Sequence, residues 1–223
     1  MQVIPVINCE NFECVKKHLK KTKKLGSDWV HIDVGDGIFG NFINWHTPQD
    51  LLQKEPFLTS RIRKLLFGDK DTGILNMEIH LMVENPEGVF EEWLKAGAKR
   101  IIFHLESVAA EWVKIVEKCA EYDVELMVAI QPLTPLDNLK LLLSRYPITH
   151  VQFLAVSPGP RGQKFDSIVL GKLKTLKKEF PNIITEIDGG INLETAKLAT
   201  EAGADIITSA TYIWDSFDHK KAF

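Results

Sequence analysis

The chain has 223 residues, of which 45% are hydrophobic and 26% charged, with 27 Lys and Arg against 30 Asp and Glu for a formal charge of −3. That is the composition of an ordinary globular protein, and the balance of charge argues against nucleic acid or an anionic membrane surface as a partner. No apolar run approaches the roughly 20 residues of a membrane helix, and a first strand starting almost at Met1 leaves no room for a signal peptide, so a cytoplasmic protein is expected.

Taken in chain order, strand-like and helix-like segments alternate without a break. Residues 3–8 read as a strand and 12–25 as a Lys-rich amphipathic helix. Cys9 and Cys14 fall here, and with Cys119 they show no CxxC spacing, so all are expected to be free thiols in a reducing compartment. A second strand at 29–34 is followed by an irregular stretch, 38–76, with candidate helices at 47–54 and 60–66 and a turn at 68–73. Arg61, Arg63 and Lys64 within it read as a solvated helix face. Further strands are expected at 77–83, 100–105, 124–130, 149–156, 183–188 and 205–209. Helices at 86–95, 109–122, 136–145, 165–180 and 193–202 separate them, and a short helix from about Trp214 closes the chain.

Eight strands alternating with helices predict a parallel sheet with crossovers. In about 220 residues this fits one (β/α)8 TIM barrel spanning 1–223. An open doubly wound sheet would carry a glycine-rich turn after its first strand, and Ile7-Asn8-Cys9-Glu10 has none. The short C-terminal helix covers the barrel bottom poorly, so a homo-oligomer contact is expected to complete it.

His31, Asp33, His80 and Asp188 each lie near the C-terminal end of an expected strand, and a parallel barrel gathers such ends on one face. By alternation His31, Asp33, Glu78, His80, Met82 and Asp188 point inward, while Ile32, Val34, Ile79, Leu81, Val83 and Ile187 face the helices. Singly, an inward His serves as a hydrogen-bonded core residue as readily as a ligand, and an Asp before Gly-Gly as readily as a turn residue. Together, two carboxylates and two imidazoles at one buried place need compensating charge, because an uncompensated buried charge costs several kcal/mol. One divalent ion meets that need; two N and two O donors suit Zn, Fe, Mn or Co and disfavour Ca.

The chain resembles the ribulose-phosphate 3-epimerase family. The stretches that carry the resemblance are His31-Ile32-Asp33-Val34-Gly35-Asp36-Gly37-Ile38-Phe39, Glu78-Ile79-His80-Leu81-Met82-Val83, Phe103-His104-Leu105-Glu106 and Gln131-Pro132-Leu133-Thr134-Pro135. Val156-Ser157-Pro158-Gly159-Pro160-Arg161-Gly162-Gln163-Lys164-Phe165, Ile187-Asp188-Gly189-Gly190 and Ala202-Gly203-Ala204-Asp205 follow in order. The resemblance implies that His31, Asp33, His80 and Asp188 hold the metal and that Asp33 and Asp188 are also the acid/base pair. It implies a metal-dependent epimerase that interconverts ribulose 5-phosphate and xylulose 5-phosphate through an enediolate.

Glycine lets the backbone approach an anion closely, so Gly159 and Gly162 after the sixth strand and Gly189 and Gly190 after the seventh are candidate phosphate binders, or plain turn residues. Met82 and Thr211 are further substrate-binding candidates. Several positions depart from the family's pattern. Val6 replaces a serine, Gly35 and Leu154 replace two methionines, Pro160-Arg161 replaces Phe-Gly, and Ala210-Thr211 replaces Gly-Ser. Arg161 either supplies a charged phosphate donor in compensation or points to solvent. These changes leave two alternatives open: a 3-epimerase of another ketose or ketose phosphate such as allulose 6-phosphate, and a non-catalytic sugar-phosphate-binding barrel. A metal-free phosphate barrel of the orotidine-phosphate decarboxylase kind lacks the paired-histidine set.

Overall fold

A computed structural model of the protein describes residues 1–53, 75–109 and 111–223. Eight parallel strands close on themselves in sequential order: β1 (Gln2–Ile7), β2 (Trp29–Gly35), β3 (Asn76–Met82), β4 (Arg100–His104), β5 (Glu125–Ile130), β6 (His150–Leu154), β7 (Ile184–Asp188) and β8 (Ile206–Ser209). The helices between them are α1 (Phe12–Leu25), α2 (Gln49–Gln53), α3 (Phe90–Lys95), α4 (Trp112–Glu121), α5 (Leu136–Arg145), α6 (Ile168–Glu179) and α7 (Leu193–Ala202), with α8 (Thr211–Trp214) and α9 (His219–Ala222) after β8. The expected (β/α)8 barrel is therefore present, and no helix among the described residues is long and apolar enough to cross a membrane.

The two faces of the sheet differ as the alternation requires. Ile32, Val34, Ile79, Leu81, Phe103 and Ile187 are buried in the large core between sheet and helices. Inside the barrel, Ile102, Met127 and Ala129 form a separate small apolar cluster on β4 and β5. Much of the rest of the interior is polar: His31, Glu78, His80, His104, Gln152 and Glu186 are all 0% exposed.

Boundaries shift where side chains compete for backbone groups. The helix expected at 86–95 begins instead as a 3-10 turn, Pro86–Gly88, because the Asn85 side chain accepts the Gly88 N–H at 3.1 Å and the Val89 N–H bonds the Pro86 carbonyl at 3.2 Å. The α-helix proper starts at Phe90. The helix expected at 109–122 starts at Trp112, and ahead of it the Ala109 N–H donates to Glu87 Oε1 at 3.0 Å. The helix expected at 47–54 begins at Gln49 and runs to Gln53, the last residue described before 75, while the 60–66 helix, its basic cluster and the 68–73 turn lie outside the described residues.

The cysteine expectation needs correction. Cys9 and Cys14 are joined in a disulfide, and Cys119 alone is a free, buried thiol. The turn from β1 into α1 brings the two Cα atoms to 5.8 Å, within the span a disulfide bridges. The spacing of five residues gave no sign of this because the βα turn, not a short motif, sets the approach.

Asp205 ties α6 to the barrel just ahead of β8. It accepts the Thr185 N–H at 2.7 Å and the Lys177 ammonium at 2.5 Å. Partial burial works against its charge, but Lys177 and Thr185 hold the carboxyl below its usual range. A carboxyl whose folded pKa is depressed stabilises the fold above the unfolded value of about 3.9, and that stability is lost as the pH falls through the folded value. Asp205→Asn is therefore expected to reduce urea stability at about pH 7 more than at about pH 3. Equal losses at both would show that its charge is not what matters.

Candidate active site

Strand register builds the site. Asp33 on β2 pairs with His80 on β3, and His31 pairs with Glu78 one layer below. Across the barrel, β7 brings Asp188 level with Leu154 of β6, and Glu186 level with Gln152. One donor atom each from His31, Asp33, His80 and Asp188 falls within 4.8 Å of all the others. His31 Nε2 lies 3.1 Å from Asp33 Oδ1 and 3.2 Å from His80 Nδ1. His80 Nδ1 in turn lies 3.4 Å from Asp33 Oδ1 and 3.6 Å from Asp188 Oδ2. The imidazoles are fully buried, whereas Asp33 and Asp188, each 8% exposed, open onto a cavity of about 290 Å³. Two nitrogens and two carboxylates converging from three strands make a donor set fit for a divalent metal of the Zn, Fe, Mn or Co kind.

The two aspartates sit in unlike fields. Burial works to raise Asp33, but the His31 and His80 imidazoles beside it outweigh it and hold that carboxyl well below the usual range. Asp188 is pushed up by burial, with the Asp33 charge adding to the effect against the pull of His31 and His80. Of the pair, Asp33 is thus the readier to stay ionised and Asp188 the readier to carry a proton. Each is positioned from its other side: the Asn8 side-chain amide donates to Asp33 Oδ2 at 3.0 Å, and the Thr208 hydroxyl donates to Asp188 Oδ1 at 2.5 Å.

A second ring of side chains orients the imidazoles. His31 Nδ1 meets Glu78 Oε1 at 2.6 Å, and Glu78 is held from below by Arg100, which also reaches Glu125 at 2.6 Å. Burial would lower the His31 pKa, but Asp33 and Glu78 raise it well above the ordinary histidine value. On the other side, His104 Nε2 lies 2.9 Å from His80 Nε2, and its Nδ1 lies 3.2 Å from Glu106 Oε2. Burial lowers His104 to about 4, so it is neutral near pH 7; burial would raise Glu106, but His104, the Gln131 N–H and the Thr134 hydroxyl lower it to about 2. A neutral His104 giving its one N–H to Glu106 presents a lone pair at Nε2, and His80 must donate to it. That leaves His80 Nδ1 bare and aimed at the cluster.

Sequence reasoning missed the roles of Asn8, Arg100, His104, Glu106 and Thr208, and the buried Glu186 that lies 3.9 Å from His31 Nδ1. Period-2 counting could have found Glu186, which precedes Asp188 by two, and the His104-Leu105-Glu106 spacing was visible. The contacts of Asn8 and Thr208 join different strands and left no local sign.

All the expected substrate-binding residues, Met82, Gly159, Arg161, Gly162, Gly189, Gly190 and Thr211, line the cavity above Asp33 and Asp188. Val6, Leu154, Pro160 and Ala210 line it too, so all the departures from the family pattern but one meet there. The exception is Gly35: a Cβ there would lie 2.7 Å from the Phe42 ring, which fills that space. Gly189 and Gly190 are required as glycines by conformation and by room. Their φ values are +95° and +67°, and added Cβ atoms would lie 2.5 Å from Val156 and 2.7 Å from the Phe165 backbone.

The model of the family described as ribulose-phosphate 3 epimerase matches residues 2–214. The chain belongs to the ribulose-phosphate 3-epimerase family. It is 30% identical to the ribulose-phosphate 3-epimerase of Bacillus subtilis (strain 168), covering 100% of this chain and 96% of the relative. It is 31% identical to the ribulose-phosphate 3-epimerase of Methanocaldococcus jannaschii, covering 95% of this chain and 83% of the relative. Among solved structures, 3-hexulose-6-phosphate synthase from Salmonella typhimurium superposes with a TM-score of 0.68 at 14% identity, covering 100% of this chain and 94% of the other, a likeness of fold alone. The resemblance read from the motifs and the family match thus agree over nearly the whole chain, and the epimerase family supplies the frame for the cavity and its carboxylates.

Proposed function

We propose that the chain is a metal-dependent 3-epimerase that interconverts ribulose 5-phosphate and xylulose 5-phosphate. The observation that carries the reading is that Asp33 on β2 and Asp188 on β7 open onto one cavity and both approach His80 Nδ1. Epimerising C3 of a 2-ketose removes a proton beside a carbonyl and returns one on the opposite face, giving an enediolate between. Carboxylates from separate strands can flank the sugar, one ionised as base and one protonated as acid. Asp33 fits the base and Asp188 the acid in one direction, with the roles reversed in the other. His31, Asp33, His80 and Asp188 would hold the divalent ion, which when bound supplies positive charge beside the oxygens that become negative. The phosphate end falls to the backbone at Gly159, Gly162, Gly189 and Gly190, with the Thr211 hydroxyl beside it.

A second reading keeps this chemistry and changes the ketose. It is favoured by Arg161 and Ala210 at the cavity, where the family has glycines. Metal analysis of the purified protein, followed by solvent deuterium exchange at C3 across phosphorylated and free ketoses, tests both. Exchange confined to ribulose 5-phosphate and xylulose 5-phosphate supports the first reading, and exchange only into another sugar supports the second. Metal without exchange into any sugar would leave a binding protein.

Arg161 is exposed on the cavity rim. As a phosphate donor it would contribute a charged hydrogen bond of about 1.5–3 kcal/mol. Arg161→Ala is then expected to raise KM for a phosphorylated ketose by about tenfold or more with kcat nearly unchanged. An unchanged KM would remove Arg161 from substrate binding.

A further inference from the structure

We propose a second metal site, separate from the barrel cluster, formed by Cys9, Cys14 and His18 once their disulfide is reduced. Its ligand class is a zinc-like cation that prefers sulfur and nitrogen. Cys9 follows β1 and is buried, while Cys14 and His18 stand one turn apart on α1, half-buried. A donor atom from each falls within 4.8 Å of the other two. His18 Nδ1 lies 3.5 Å from Cys9 Sγ and 3.6 Å from Cys14 Sγ.

Those two distances are the ones a shared ion would need. Tetrahedral ligands at about 2.3 Å for sulfur and about 2.0–2.1 Å for nitrogen stand about 3.6 Å apart. The sulfurs must separate to about 3.8 Å, which side-chain rotation can supply with the Cα atoms at their present 5.8 Å. The imidazole gives up its Nδ1 contact with the Cys14 carbonyl, at 3.0 Å, and carries its proton on Nε2. Lys17, Lys21 and Arg161 bring positive charge to His18, and their field suits thiolates and a neutral imidazole, the ligating forms. Two thiolates cancel the charge of the ion, and half-burial leaves its fourth position open to water or a small ligand.

Reduction balances through thiol exchange. A thiolate of an external dithiol attacks one sulfur of the Cys9–Cys14 bond, forming a mixed disulfide. The reductant's second thiol then displaces the remaining cysteine, so two electrons pass to the protein and the reductant leaves as its cyclic disulfide. Metal binding then releases the protons of both thiols.

Cobalt(II) tests the site on the full chain, because sulfur-to-cobalt charge transfer absorbs in the near ultraviolet and a His and Asp cluster gives no such band. After reduction and removal of the reductant, cobalt is expected to produce that band with one thiolate-bound ion per chain. The oxidised protein should give none. Cys14→Ser should abolish the band, and His18→Ala should weaken cobalt binding by at least tenfold, with far-ultraviolet circular dichroism confirming the fold of each. Asp188→Asn should keep the band, which separates this site from the barrel cluster and from the proposed epimerase activity. Absence of the band in reduced protein, its persistence at full affinity in His18→Ala, or its loss in Asp188→Asn would overturn the proposal.

Discussion

Asp188→Asn and Asp33→Asn are each expected to lower kcat for epimerisation by about 10⁴-fold, the upper end of what a positioned acid or base contributes. Asparagine keeps the size of aspartate but can neither take a proton from carbon nor return one. Each substitution also removes one anionic donor from the His31, Asp33, His80 and Asp188 cluster, so metal binding should weaken alongside. Turnover at saturating metal separates the effects, since a purely ligating role would be rescued there and an acid/base role would not. The fold should survive, because the large apolar core lies on the other face of the sheet from both side chains. Wild-type turnover in either variant would overturn the acid/base assignment.

His104→Leu is expected to weaken metal binding by about 10–100-fold, the usual cost of removing a group that orients a metal-ligating histidine. His104 reaches no substrate in this scheme; it is a positioning residue. Glu106, ionised near pH 7, takes the one N–H of a neutral His104, and the lone pair left at His104 Nε2 requires the proton of His80 to sit on Nε2, 2.9 Å away. Without His104, His80 is free to carry its proton on Nδ1, the atom nearest Asp33 and Asp188. The signature is a raised dissociation constant for the metal with kcat largely restored at saturation. An unchanged dissociation constant would mean that the packing around His80 alone sets its tautomer.

Much of this architecture could be read from the residues, for identifiable reasons. Strands such as Glu78-Ile79-His80-Leu81-Met82 alternate polar and apolar side chains, so they declared both their period and their inward face. The bounds of α1 and α7 followed from the chemistry of their ends: Asn11 and Asn192 cap their first turns. What stayed hidden depended on contacts distant in sequence. The Ala109 N–H ahead of α4 finds Glu87, 22 residues before it, and Asn8 finds Asp33 25 residues away. The Cys9–Cys14 bond escaped for a related reason, since a βα turn sets how near two side chains come and sequence spacing alone does not.

The polar column inside the barrel has a consequence for where sensitivity to substitution should lie. Glu125, half in solvent at the start of β5, grips Arg100; Arg100 grips Glu78; and Glu78 holds His31 beside Asp33. From Arg100 to His31 that chain is buried, with little solvent to screen it, and so a charge altered at Arg100 is felt at Asp33. The far rim therefore acts as the electrostatic foundation of the reaction chamber, and Arg100 belongs functionally to the opposite end of the molecule.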